Sequence, residues 1–240
     1  MSDIKNKFNE KYKSILFAEE NFEDQEEFGV ADDYDGYFCI KHKGKLFCCM
    51  TIIGQIEGHI ALPSHNKTTK YEHMIPRIAT LESDEKISGL LLILNTVGGD
   101  IEAGLALSEL ISGLKKPTVS LVLGGGHSIG IPLAVSADKS LITRTATMTI
   151  HPVRMNGLVM GVPQQLAYFQ NMQERIVNFV SSHSSIDADR FRSMMLSSGQ
   201  LVSDFGTVLD GESAVREGII HRIGTLNDAY DELLSLSESN

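Results

Sequence analysis

The sequence predicts an α/β protein whose strands are mostly parallel and buried, and three observations predict it. Two runs, GLLLILN at 89–95 and TVSLVL at 118–123, are apolar without alternation, as strands covered on both faces are. Between them IEAGLALSELISGL has the apolar spacing of an amphipathic helix, opened by the turn TVGGD and closed by KKP. That strand–helix–strand unit is followed by further alternation, and ligands of such sheets gather at the carboxyl ends of the strands.

The elements follow in order. Residues 1–45 form an acidic arm and leading strand. The 240-residue chain has a formal net charge of −10, and its first 40 residues hold 11 acids against 4 bases. EENFEDQEEFGVADDYDG at 19–36 carries nine acids and no base, which reads as a solvated arm or as a docking segment for a basic surface. An acidic chain repels phosphate backbones and anionic lipid, so neither nucleic acid nor a membrane surface is an expected partner.

YFCIKHKGKLFCCMTIIGQIEG at 37–58 reads as two strands joined at Lys43-Gly44, and LPSHNKTTK at 62–70 as loop. YEHMIPRIATLESDEKI reads as a helix with Pro76 in its first turn. Beyond the central unit, a helix is expected over 127–137, strands over 139–145 and near 146–153, and a long helix from Pro163 to His183. A helix from Asp187 to about Ser197 and a closing helix, strand and amphipathic helix complete the chain.

Three cysteines, two of them adjacent, suit a reducing compartment and read as buried strand residues. Cys39-x-x-His42 has no second pair to complete a zinc site, and no cofactor or metal is expected. With 42% hydrophobic and 22% charged residues, no long apolar run and no signal-peptide layout, the expected location is the cytoplasm.

The chemistry-bearing stretch is GGGHSIG at 124–130. Ser128 stands after a buried strand and a glycine turn, at the start of a helix. There it reads either as an N-cap or as a nucleophile with the helix amides nearby. The second glycine turn, with Gly98 and Gly99, ends the neighbouring strand, so the Gly99 and Ile129 amides can converge on one oxygen. His151, 23 residues after Ser128, is a candidate base.

As an ordered set, NTVGGDIEAG, GGGHSIG, TMTIHP, VSDFGT and SAVREGII resemble the ClpP family of serine peptidases, in its branch of ClpP-like translocation-enhancing proteins, from about Ile52 to Leu226. The resemblance implies a ClpP/crotonase-like fold of stacked β-β-α units with a protruding handle helix. It divides the chain into the arm 1–45, a peptidase domain 46–225 and a C-terminal helix or tail 226–240.

It implies a serine endopeptidase acting on peptides or unfolded polypeptide, with Ser128 as nucleophile, His151 as base, Asp204 orienting His151, and Gly99 and Ile129 as oxyanion donors. The alternative is an interaction protein that kept the fold and assists protein translocation. A homo-oligomer of one or two rings is implied, and the 1–45 region does not resemble the loops that engage ring-shaped ATPase unfoldases. Three departures stand out: His127 precedes the serine where a small or apolar residue is usual, Val202 and Ser203 replace a basic neighbour of Asp204, and VLDGESA replaces the family's downstream L-S-A-x-E-A, which makes Asp210 a rival orienter. An acyl-CoA reading on the crotonase fold lacks a phosphate patch, and a serine–lysine dyad would use Lys139 in place of His151.

Overall fold

The computed structural model of the protein describes residues 36–154, 161–198 and 206–239. Its central sheet is made of β1 (Tyr37–His42), β2 (Lys45–Glu57), β4 (Ile87–Gly99), β5 (Thr118–Gly126), β6 (Lys139–Ile142) and β9 (Arg222–Ile223). They lie side by side in the order β1-β2-β4-β5-β6-β9. Along this path only the β1–β2 hairpin is antiparallel; β2–β4, β4–β5, β5–β6 and β6–β9 run parallel.

Alternate residues of each strand face opposite ways, and the two faces build separate cores. Cys48, Met50, Ile52, Leu90, Leu92, Leu94 and Val122 point to the larger core. It is closed by helices α1 (Tyr71–Ser83), α2 (Ile101–Ser112), α3 (Gly130–Val135), α4 (Val162–Ser182) and α5 (Ala188–Met195). Phe47, Cys49, Leu91, Leu121 and Leu141 face the other way and are capped by Ala229 and Leu233 of α7 (Leu226–Ser239). The C-terminal helix therefore packs on the sheet through these two residues. The apolar runs at 89–95 and 118–123 are explained by this double coverage.

Four local expectations are corrected. The loop at 62–70 contains a strand, β3 (Thr68–Lys70), parallel to Gln55–Glu57 of β2. Helix α1 begins at Tyr71, before the point at which Pro76 would fall in its first turn, and Met74, Ile78 and Leu81 bury one face while Pro76 stays exposed. Burial of that stripe outweighs the one backbone bond a proline removes. TVLD forms an additional strand, β8 (Thr207–Asp210), paired antiparallel with β7 (Thr147–Ile150).

The fourth correction concerns the cysteines. Cys39 and Cys48 lie directly opposite in the β1–β2 ladder and form a disulfide, with Cα atoms 4.1 Å apart, while Cys49 is free and buried on the other face.

Helix α4 is the expected long helix, and its two ends differ. Met172, Ile176, Val177, Phe179 and Val180 are buried in the chain's own core. Val162, Leu166 and Tyr168 at its start are more than half exposed. Arg175 ties the middle of α4 to Glu102 of α2 with two charge-assisted hydrogen bonds.

Candidate functional site

The site is built where β4 and β5 end side by side. Thr96 of β4 pairs with Gly126 of β5, so both glycine turns emerge at the same carboxyl edge of the sheet. Ser128 has φ 56°, a left-handed conformation that costs a non-glycine residue about 1–2 kcal/mol. Backbone bonds hold it there: Ser128 N–H donates to Thr149 O (2.8 Å), His127 N–H to Thr96 O (3.2 Å) and Ile131 N–H to Ser128 O (3.0 Å). Asn95 Oδ1 accepts from the Gly125 N–H at 3.0 Å, fixing the glycine run from the neighbouring strand.

The turn that carries Ser128 lies against the turn that ends β4. A Cβ on Gly98, whose φ is 88°, would stand 2.7 Å from Ser128 Cβ and 3.3 Å from its Oγ. One on Gly99, φ 153°, would meet the backbone of Ile56 in β2 at 2.2 Å. Gly98 and Gly99 therefore serve two contacts, one to Ser128 and one to β2. Val97, beside them, is 65% exposed.

Ile129 is buried, and its side chain occupies the space that a Cβ on Gly104 of α2 would need, at 2.3 Å. Gly98, Gly104 and Asn95 all position the Ser128 turn and carry no chemistry of their own. The signal that could have found Gly104 is a glycine inside an otherwise regular helix, which costs about 1 kcal/mol unless close packing needs it.

His151 follows β7, and Thr149 in that strand is the residue that accepts from Ser128, so His151 and Ser128 belong to one neighbourhood. Its Nδ1 lies 2.7 Å from Pro152 O. A carbonyl only accepts, so Nδ1 carries the proton and Nε2 is left with its lone pair in the neutral ring. Among the described residues no hydrogen bond joins Ser128 to His151.

His127 turns back over the strand end. Its Nε2 would stand 2.7 Å from a Cβ on Gly125, so the ring occupies the space that a side chain at 125 would need. Its Nδ1 is buried without a partner among the described residues. Burial first, then the neighbouring His151, hold the His127 imidazole below its ordinary range, so it is neutral at pH 7.

Asp204 lies outside the described residues. Asp210 does not approach His151: it pairs with Thr147 at the far end of the β7–β8 ladder, three residues or about 10 Å from Ile150. Its side chain accepts from the Ser213 N–H and caps helix α6 (Gly211–Arg216), and these bonds hold its carboxyl below the usual range. Asp187 caps α5 in the same way. Among the described residues no group of three or more His, Cys, Asp or Glu side chains is placed to hold a metal ion, and no helix is long and apolar enough to cross a membrane.

Comparison with known proteins places this geometry in a family. The Clp protease family profile matches residues 44–227, and the chain belongs to that family. Its relatives include the translocation-enhancing protein TepA of Halalkalibacterium halodurans, 56% identical over 190 residues, which cover 79% of this chain and 74% of the relative. A putative protease of Methanocaldococcus jannaschii is 24% identical over 228 residues, 80% of this chain and 70% of the other. Among solved structures, a single-residue mutant of ClpP1 from Listeria monocytogenes superposes with a TM-score of 0.60 at 18% identity, covering 75% of this chain and 93% of that one. That likeness shows a mixed α/β ClpP-like fold.

These comparisons correct one expectation. The relative that is 56% identical over 190 residues is named for enhancing translocation and not for hydrolysing peptides, so the reading of the chain as a serine endopeptidase is withdrawn. The protease-named relative is much more distant in sequence.

Proposed function

We propose that this chain is a ClpP-fold protein that assists protein translocation by binding polypeptide in an extended form. The observation that carries this reading is the 56% identity to a translocation-enhancing protein across most of both chains. The surface beside the two glycine turns supports it physically. Gly99 leaves partly exposed backbone at the end of β4, Val97 offers an exposed apolar contact near it, and the half-buried Ser128 adds a hydroxyl. An extended segment laid there would satisfy main-chain groups as an added strand does, with side-chain preference coming from Val97.

In this reading Ser128, His151, Gly99 and Ile129 line or shape the binding surface; Asp204 lies outside the described residues. His151 donates to the Pro152 carbonyl and so stiffens the wall. Assembly into a homo-oligomer follows from the exposed start of α4, where Val162, Leu166 and Tyr168 present apolar surface that a second copy would cover.

The test uses the purified full chain and a fluorescently labelled, reduced and unfolded polypeptide. Binding should be saturable, leave the polypeptide uncut, and weaken about tenfold or more in Val97→Asp, which changes an exposed residue only. Cleavage of the polypeptide, or equal binding by Val97→Asp, would overturn the reading.

A further inference from the structure

Away from the Ser128 turn, a cavity of about 350 Å³ opens where three helices end. Ser112 is the last residue of α2, Ser136 follows α3, and Ser182 and His183 close α4; all four line it. A helix carboxyl end carries about half a negative charge on carbonyls that lack intrahelical partners. None of these three helices has a basic residue in its last turn to offset that charge. Helix α3 is short, so the larger contributions come from the 12 residues of α2 and the 21 of α4.

The side chains add to the same sign. Four hydroxyls have already given their protons to backbone carbonyls: Ser112 to Glu109 O (3.1 Å), Ser136 to Leu133 O (2.9 Å), Ser182 to Asn178 O (2.6 Å) and Ser184 to Val180 O (2.6 Å). Each therefore offers the cavity lone pairs only. His183 Nδ1 faces Phe179 O at 2.8 Å and must carry its proton there, which leaves Nε2 as an acceptor in the neutral ring. Asp138, also on the lining, is a carboxylate whose Oδ2 accepts from the Thr118 N–H and hydroxyl.

Two donors oppose this set, the exposed Ser185 hydroxyl, which can donate as well as accept, and His221. His221 Nδ1 accepts from the Ser140 N–H at 3.1 Å, so its Nε2 holds the proton. Burial and the nearby Lys139 keep that ring below its usual range, and it adds no charge at neutral pH.

We propose that this cavity binds an organic cation, an alkylammonium or guanidinium group with several N–H donors. A divalent metal ion fits less well, because the lining supplies one carboxylate and its acceptors are spread over a cavity much larger than an ion. A second cavity of about 410 Å³ shares Ser182 and His183 with the first and carries Glu109 and the Glu102–Arg175 pair. It gives an elongated cation room to continue. The group comes from a free small polyamine or from a basic side chain of a polypeptide. The inference goes beyond the translocation reading and does not depend on it.

The test is titration calorimetry of the full chain with agmatine, spermidine and a short arginine-containing peptide against its norleucine analogue. Saturable binding of agmatine or the arginine peptide, and none of the norleucine analogue, is expected. Ser112→Lys and Ser185→Lys, each bringing the protein's own ammonium to the cavity, should weaken it about tenfold or more, while Ser112→Gln and Ser185→Gln keep it. Ser185 is exposed on the lining, so its variants keep the test valid where Ser112→Lys disturbs packing. A peptide affinity well above agmatine's identifies a polypeptide side chain as the source, and equal or tighter polyamine binding identifies a free cation. No binding of any cation at about millimolar concentration, or binding unchanged in both lysine variants, overturns the proposal.

Discussion

Replacing Gly98 by alanine tests the contact between the two glycine turns. Two costs arise there and can be separated. The first is conformational, since φ 88° costs a residue with a Cβ about 1–2 kcal/mol. The second is crowding, because the new Cβ would stand 2.7 Å from Ser128 Cβ and 2.9 Å from His127 O, and forcing a methyl into packed surroundings costs about 1–3 kcal/mol. Gly44 isolates the first cost: its φ is 85°, and a Cβ there would meet nothing within 4 Å. Gly44→Ala should therefore lose about 1–2 kcal/mol and Gly98→Ala about 2–5 kcal/mol. Urea unfolding at one fixed protein concentration reads both. Adding Ser128→Gly to Gly98→Ala should recover part of the excess, because it removes one of the two clashing partners. Equal losses at Gly44 and Gly98, with no coupling to residue 128, would refute the claim that the turns touch.

Three further outcomes are expected. Gly104→Ala in α2 gains about 1 kcal/mol of helix propensity but drives a methyl to 2.3 Å from Ile129 Cγ1, so the net should be destabilising by about 0–2 kcal/mol, against the gain an ordinary exposed helix position would show in the same unfolding assay. His127 is neutral in the fold and its imidazole is held below the free value of about 6.5, so the unfolded chain takes up the proton first as pH falls. Stability should decline below about pH 6.5, and His127→Asn should flatten that decline in melting curves from pH 8 to 5, with His221 leaving a residual slope of the same sign. The Cys49 thiol is pushed up to about 12 by burial, so it should resist iodoacetamide at pH 8 in the native protein and react at once in urea, by mass spectrometry.

The parts of the fold legible in the sequence are those where burial dictates residue type over a whole element. The 89–123 unit reads correctly because both faces of β4 and β5 are covered, leaving few polar residues, such as the buried Thr118 and Ser120, to blur the runs. β3 and β8 are short and carry polar residues, Thr68–Lys70 and Thr207–Asp210, so local pattern hides pairings that depend on distant strands. The Cys39–Cys48 bridge depends on hairpin register, which the spacing of cysteines alone does not fix.

For the site, the two glycine turns and their shared edge follow from the βαβ pattern, and the structure brings Gly98 onto Ser128 as parallel neighbours require. The partners of Asn95 and Gly104 were not legible, since one makes a contact across strands and the other, marked in the sequence only as a glycine inside a helix, a contact between helix and turn. His127 stands out in the sequence as an oddity; its ring turns onto Gly125, a direction no residue pattern encodes.

The central claim, that the chain acts by holding polypeptide and not by cutting it, is tested most directly by export of a secreted reporter in cells lacking this protein. Complementation with Ser128→Ala, which removes one hydroxyl contact and leaves the apolar and backbone contacts in place, should restore most of the export given by the unaltered chain, and Val97→Asp should fall short. Failure of Ser128→Ala to restore export, with the variant folded and present at normal abundance, would contradict the account.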